Sequence, residues 1–336
     1  VLITSYLEPD LVDRIRHEVP QIDLIYRPDL IGKPTFLADH TATIDRTPTQ
    51  EAEWRALLAK ADILFDFDHT HLDDLPELAP NVKWIQATSA GIGQRVHKLR
   101  YAERTNWIFT TASGVHARPL AEYCIMSMIM FAKNYQLMEQ AKAAHQWQLF
   151  SNTELAGKTV GIIGLGRIGR DVATVCKFFG MNVIGTRRDI TKPVDHVDTL
   201  YAPDELDVIL PQVDYLVLAT PHTPETEGLL SAERIRMIKR GAVVINVARG
   251  AVVDQPALID ALTDGHLLGA ALDVVTTEPM PADDPLWDVP NVIISQHSAC
   301  TADTENSKIT DIFIKNLKHF INDEPMDNVL DPNLMY

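Results

Sequence analysis

Three apolar runs in the second half of the chain each lead into residues whose side chains can do chemistry. Residues 242–247 run into Asn246-Val247-Ala248-Arg249-Gly250, which places an arginine at the end of the run. Residues 269–274 carry Asp273 near their end, and Glu278 follows in Thr276-Thr277-Glu278-Pro279. Residues 291–295 run into Ser295-Gln296-His297-Ser298-Ala299. If the runs are parallel strands of one open sheet, their carboxyl ends converge on a single crevice. Arg249, Asp273, Glu278 and His297 would then meet. An imidazole beside carboxylates can exchange a proton, and a guanidinium can hold an anion. Taken singly, each has an ordinary explanation: a surface ion pair, a cap, a solvated loop and a hydrogen-bonded histidine. Four at once, beside the motif described next, are harder to explain that way.

That motif is Gly164-Leu165-Gly166-Arg167-Ile168-Gly169, fed directly by the apolar run Thr159-Val160-Gly161-Ile162-Ile163. The pattern G-x-G-x-x-G between strand and helix is a dinucleotide-binding turn. Gly164 makes the turn, Gly166 admits a pyrophosphate close to the backbone, and Gly169 lets helix and strand pack. The helix start offers free N–H groups and a partial positive charge. Residues 171–180 read as that helix, with Val172, Val175, Cys176 and Phe179 on one face, and 181–185 as the next strand. Further strands are expected at 214–219, 242–247, 269–274 and 291–295, with a helix over 254–264, so that a doubly wound sheet is completed.

The residues before the motif form a separate α/β unit with a parallel sheet. Strands are expected at 1–4, 22–26, 63–67, 82–86 and 107–110, and helices at 9–19 and 49–60, the latter with a start signal at Thr49. Two of its loops follow strand ends. Thr88-Ser89-Ala90-Gly91-Ile92-Gly93 has small residues whose N–H groups could hold a carboxylate. Asp68-His69-Thr70-His71 invites a metal reading, but no further cluster completes a ligand set, so no metal is expected. Residues 117–148 read as one long apolar helix with Pro119 in its first turn, bridging domains, forming a subunit interface or buried in the chain's own core. A last helix over 303–322 returns to the first unit. The expected division is therefore a discontinuous domain of 1–112 and 303–336 and a nucleotide domain of 113–302.

Composition sets the outer bounds. The chain has 336 residues, enough for about two domains. Its 46 acidic and 30 basic residues give a formal charge of −16, which argues against nucleic acid or an anionic membrane as partner. Any anionic ligand must then be met by local arginines or helix N-termini. Cys124, Cys176 and Cys300 show neither metal spacing nor a paired framework, and no targeting segment or bilayer-length apolar run is present, so a cytoplasmic setting is expected.

With these residues in view, the sequence resembles the D-isomer-specific 2-hydroxyacid dehydrogenases, of the glyoxylate/hydroxypyruvate reductase kind. The likeness rests on Gly164 to Gly169, on 246–254, on Ala271-Leu272-Asp273-Val274, on Glu278-Pro279 and on His297-Ser298-Ala299. Ser89-Ala90-Gly91 and Ala121-Glu122 add to it. It implies a Rossmann-type nucleotide domain with a flavodoxin-like discontinuous substrate domain, a cleft between them, and a homodimer. It also implies roles. His297 is the acid that protonates the carbonyl oxygen, and Glu278 pairs with it and favours its charged form. Arg249 holds the substrate carboxylate and polarises the carbonyl, while N–H groups of Ala90, Gly91 and Ile92 take the carboxylate's other side. Around the cofactor it places Gly164, Gly166, Arg167, Ile168, Gly169, Thr186, Arg187, Arg188, Pro221, Thr226, Val247, Ala248, Arg249, Asp273, His297 and Ala299. Asp273, with the Val247–Ala248 backbone, orients the nicotinamide.

Two departures from the family pattern stand out. Members using NAD(H) carry an acid at the end of the second nucleotide strand, whereas here Val183-Ile184-Gly185 runs into Thr186-Arg187-Arg188, and Asp189 comes too late. Two arginines suit a 2′-phosphate, so NADP(H) is expected over NAD(H). Gln296 stands before His297 where many relatives have proline. The substrate implied is a small 2-oxo or 2-hydroxy acid, with glyoxylate, hydroxypyruvate and branched or aromatic 2-oxo acids all open. The competing readings are a dinucleotide-sensing, corepressor-like partner protein and a formate dehydrogenase. The intact Arg249, Glu278 and His297 set disfavours the first. The second pairs its histidine with glutamine, against Glu278 here.

Overall fold

The computed structural model describes residues 1–332, 334 and 335. The chain forms two compact units, one made of Val1–His116 with Thr301–Tyr336 and the other of Ala117–Cys300. The divisions fall at 116/117 and 300/301 rather than at 112/113 and 302/303.

The first unit carries four parallel strands in chain order: β1 (Leu2–Ile3), β2 (Ile63–Phe65), β3 (Trp84–Gln86) and β4 (Ile108–Thr110). The strand expected over 22–26 shrinks to one parallel bridge between Ile25 and Leu2. The Tyr26 hydroxyl donates to the Leu7 carbonyl at 2.7 Å, and Pro28 opens a 3₁₀ turn, so the run has no length to pair further. Counted as a vestigial strand, Ile25 gives the order 2-1-3-4-5 of a flavodoxin-like sheet. Helix Pro48–Leu58 starts one residue before Thr49, because Thr47 makes a reciprocal cap with Gln50 and Pro48 suits the first turn. Helix Glu305–Ile321 packs beside Pro9–Glu18, joined by Arg14–Asp311 and Lys318–Glu18 pairs. Its Phe313 lies edge-on to Phe65 at 5.1 Å and 5.4 Å from Trp84, covering one face of the sheet.

The second unit is a seven-stranded parallel sheet of β5 (Thr159–Ile163), β6 (Asn182–Thr186), β7 (Thr199–Tyr201), β8 (Tyr215–Leu218), β9 (Val243–Asn246), β10 (Gly269–Leu272) and β11 (Val292–Ile294). Their order is β7-β6-β5-β8-β9-β10-β11, with the reversal of direction between β5 and β8. That reversal is where open α/β sheets bind ligands. β7 has no sequence counterpart above, since Thr199-Leu200-Tyr201 is too short to show a period. The long helix over 117–148 is two helices, Ala117–Ala132 and Tyr135–Ala143. Asn134 breaks it at φ +51° and turns its side chain to the Ser151 carbonyl. Leu120, Cys124 and Met128 of the first helix are buried with Val172 and Cys176 of helix Arg167–Phe178. Among the described residues no helix is long and apolar enough to cross a membrane.

Candidate active site

The glycine turn comes first, because it fixes the nucleotide end of the crevice. Gly164 has φ +100°, and a Cβ there would stand 2.8 Å from the Ala219 carbonyl oxygen, just past β8. A Cβ on Gly169 would stand 2.2 Å from the Gly164 carbonyl oxygen. A Cβ on Gly166 would meet nothing within 4 Å. The outer two glycines therefore let the turn close on itself, while the middle one faces open space where a phosphate could approach. Gly166 also caps helix Arg167–Phe178 with no side-chain bond to its first N–H groups. The Thr186 hydroxyl accepts from the Gly164 N–H at 3.1 Å, so Thr186 braces the turn. Arg187 and Arg188 follow β6, and no acid stands at its end. Asp189 is held below the usual carboxylate range first by Thr191 and more weakly by Arg187. Glu225 is held down first by Thr223 and more weakly by Arg188, which puts Arg188 within electrostatic reach of the loop after β8. In that loop Thr226 spends its hydroxyl on the Pro221 carbonyl at 2.7 Å and on the Thr223 N–H at 2.8 Å, closing the loop on itself.

Arg249, Glu278 and His297 come together at the ends of β9, β10 and β11. His297 Nδ1 lies 2.6 Å from Glu278 Oε2, and both side chains are over one-third exposed. The other Glu278 oxygen accepts from the Val275 N–H at 3.1 Å. Burial works to raise the Glu278 carboxyl. The bond to His297, the imidazole's charge, the Val275 N–H and the charge of Arg249 outweigh it and hold the group below its ordinary value. Arg249 is thus near enough to act on the same carboxylate.

Three residues that the sequence did not single out build this meeting. Asn246, buried at the end of β9, donates to the Arg249 carbonyl at 3.0 Å and accepts from the Ala248 N–H at 3.0 Å. The Ala248 carbonyl in turn accepts from Arg249 Nη1 at 2.7 Å. At Gly250 a Cβ would fall 1.9 Å from the Val275 carbonyl oxygen and 2.4 Å from the Thr276 nitrogen. Only glycine lets the Arg249 segment lie against the segment that holds Glu278. Ser295 donates to Asp273 Oδ1 at 2.8 Å. A buried polar residue ending an apolar run is the one signal that could have flagged Asn246.

Asp273 is buried; its N–H donates to the Asn246 carbonyl at 3.0 Å, and its carboxylate and carbonyl accept from the His297 loop. Besides Ser295, its Oδ1 accepts from the Ala299 N–H at 2.9 Å, and its carbonyl accepts from the His297 N–H at 2.6 Å. The Ala299 N–H is therefore engaged inside the protein. Gln296 and His297 stand at φ +49° and +57°, a conformation closed to proline, so the residue that departs from the family pattern also has a distinct backbone.

In the first unit Ala90 and Gly91 are exposed or half-exposed after β3, while the Ile92 side chain is buried in that unit's core. Asp68 and His71 pair at 2.8 Å, His71 also meets Glu51 at 2.8 Å, and His69 lies 3.5 Å from Asp66. Asp68 also accepts from Trp54 at 2.8 Å. This segment is tied up in ion pairs, and no group of three ligand-type side chains able to hold a metal ion is found among the described residues.

Residues 125–299 match the family described as D-isomer specific 2-hydroxyacid dehydrogenase, NAD binding domain. The chain is 32% identical over 264 residues to a D-3-phosphoglycerate dehydrogenase of Methanocaldococcus jannaschii, covering 78% of this chain and 50% of that protein. It therefore spans about half the length of that relative. It is 29% identical over 269 residues to a glyoxylate reductase of Korarchaeum cryptofilum, covering 77% and 79% of the two chains. A crystal structure of a D-isomer specific 2-hydroxyacid dehydrogenase from Xanthobacter autotrophicus, in complex with NADPH and MES, superposes with a TM-score of 0.80 at 26% identity. The superposition covers 100% of this chain and 98% of that one.

Proposed function

The chain belongs to the D-isomer-specific 2-hydroxyacid dehydrogenases, and from that premise we propose that it reduces a small 2-oxo acid to the D-2-hydroxy acid with NADP(H). The observation that carries the reading is the 2.6 Å His297–Glu278 pair with Arg249 acting on the same carboxylate. Glu278 occupies Nδ1, which leaves Nε2 as the nitrogen that delivers a proton to the carbonyl oxygen. Arg249 holds the substrate carboxylate and polarises the carbonyl with a planar fork that a lysine cannot imitate. The N–H groups of Ala90, Gly91 and Ile92 are assigned to the carboxylate as well. A positioned general acid contributes about 10²–10⁴-fold, and one donor aimed at a developing oxyanion roughly 2.7–4 kcal/mol.

The chain's own residues suit a dinucleotide. The open side of Gly166 and the uncapped start of helix Arg167–Phe178 would hold the pyrophosphate. Arg187 and Arg188, with no acid at the end of β6, would hold a 2′-phosphate, and the Xanthobacter relative was crystallised with NADPH. Bound there, the cofactor supplies the hydride to the 2-carbon. A homodimer belongs to the same reading, supported by Trp147 at 96% and Leu149 at 87% exposure just past helix Tyr135–Ala143.

The test is NADPH oxidation against glyoxylate, hydroxypyruvate and branched and aromatic 2-oxo acids, with formate and NADP⁺ run in reverse. Wild type is expected to turn over at least one 2-oxo acid, and His297→Ala to lose about 10²–10⁴-fold while still binding NADPH. Near-normal turnover in His297→Ala would remove it from the mechanism, and activity on formate alone would overturn the reading.

A further inference from the structure

We infer that Ser295 is a positioning residue for His297, acting through Asp273. The inference rests on the proposed role of His297. The loop leaving β11 is tied to one residue at three alternate positions: Ser295 Oγ and the Ala299 N–H both donate to Asp273 Oδ1, and the His297 N–H donates to the Asp273 carbonyl. Between and within these ties lie Gln296 and His297, two consecutive non-glycine residues with positive φ. Side chains adopt that conformation only where the surroundings over-determine it. Here they do, and the three bonds to Asp273 are the means.

Ser295 is the one side chain of the loop in this clamp. The other two ties are main-chain N–H groups that any residue would supply. The Ser295 hydroxyl is also near the buried Tyr123 phenol. Burial pushes that phenol up to about 12, so at neutral pH it stays uncharged and does not compete with Asp273, as an anion, for the Ser295 hydroxyl proton. Ser295 therefore sets where the loop starts, and Glu278 on Nδ1 sets how the ring is turned. The two together aim Nε2.

The test uses the full chain with Ser295→Ala and Ser295→Thr. If Ser295 positions the acid, Ser295→Ala lowers kcat about tenfold, because small displacements of a catalytic group cost that much or more. The NADPH dissociation constant, read by fluorescence, stays within twofold. The isotope effect on kcat with 4-deuterated NADPH rises as chemistry becomes slower than release. Ser295→Thr, which keeps the hydroxyl, recovers most of the loss. The His297 imidazole resonance, assigned by its disappearance in His297→Ala, moves in Ser295→Ala and returns in Ser295→Thr. Unchanged kcat and an unmoved resonance in Ser295→Ala would overturn the inference. So would a loss of turnover matched by an equal loss of NADPH binding without rescue by threonine. If wild type reduces no 2-oxo acid and the resonance still moves, the proposed reaction falls and the positioning of His297 stands.

Discussion

Replacing Gly250 with alanine would add one methyl group where the chain has no room for it. The new Cβ would lie 1.9 Å from the Val275 carbonyl oxygen, 2.0 Å from its carbon and 2.4 Å from the Thr276 nitrogen. All three are main-chain atoms, so no side chain can swing aside. Ordinary contact requires the two segments to separate by about 1–1.5 Å, and overpacking of this kind costs about 1–3 kcal/mol. In a unit of this size each kcal/mol lowers Tm by about 2–4 °C. The separation falls between Arg249, the neighbour of Gly250, and Glu278, which the Val275 N–H holds. A 1 Å misplacement can cost about 10²-fold in rate. The expected variant is folded, melts a few degrees lower and turns over about a hundredfold more slowly. Thermal unfolding and steady-state NADPH oxidation read both. Wild-type stability and rate together would refute the close approach. Lost stability with full turnover would show that Arg249 and Glu278 move as one, and that their separation is not set at Gly250.

Gly166→Ala is expected to leave Tm unchanged, since nothing stands within 4 Å of the added carbon, and to weaken NADPH at least tenfold. Unaltered affinity in a titration would move the pyrophosphate elsewhere. Gln296→Pro cannot hold φ +49°, so kcat should drop at least tenfold while Gln296→Gly stays near wild type; equal rates in the two variants would dismiss the loop geometry. Burial of Asp66 would raise its carboxyl, but the bond and charge of His69, the charge of His40 and the Phe67 N–H bring it down to about 2. The folded value lies below the unfolded one of about 3.9, so the group stabilises above about pH 4 and loses this as pH falls toward 2. The contribution is about 2 kcal/mol. Urea unfolding followed by tryptophan fluorescence should show Asp66→Asn weaker by that amount at pH 7. The gap should narrow by pH 3, and a gap equal at both pH values would contradict the assignment.

What the sequence could tell depended on how local the signal was. The glycine turn is contiguous, so its order of strand, turn and helix was legible, and Arg249, Glu278 and His297 were readable because parallel strands share one end. β7 and the vestigial strand at Ile25 were misjudged because three residues or one carry no period; tertiary pairing decides them. The sequence offers a start signal at Thr49, but it is Thr47 that has its partner, Gln50, at the right spacing. The break at Asn134 lies in Lys133-Asn134-Tyr135-Gln136, a polar stretch with no glycine or proline to mark a helix end. Asp273 was legible as important, but its bonds to Ser295, His297 and Ala299 link loops over twenty residues apart. The need for glycine at 250 arises from the backbone of Val275, a residue whose side chain plays no part.

The first unit is completed by helix Glu305–Ile321, whose Phe313 covers Phe65 and Trp84. During synthesis that helix leaves the ribosome only after the whole of Ala117–Cys300. At about 5–20 residues per second the intervening stretch takes roughly 10–40 s to emerge. Throughout that interval the Phe65 and Trp84 side of the sheet has only helix Pro9–Glu18 against it, and the place of Phe313 stays open. The nucleotide unit, contiguous in sequence, has no such wait and can finish folding first. The nascent chain then carries an assembled half and a waiting half, and the waiting half exposes the surface that a trigger-type chaperone or a neighbouring nascent chain would grip.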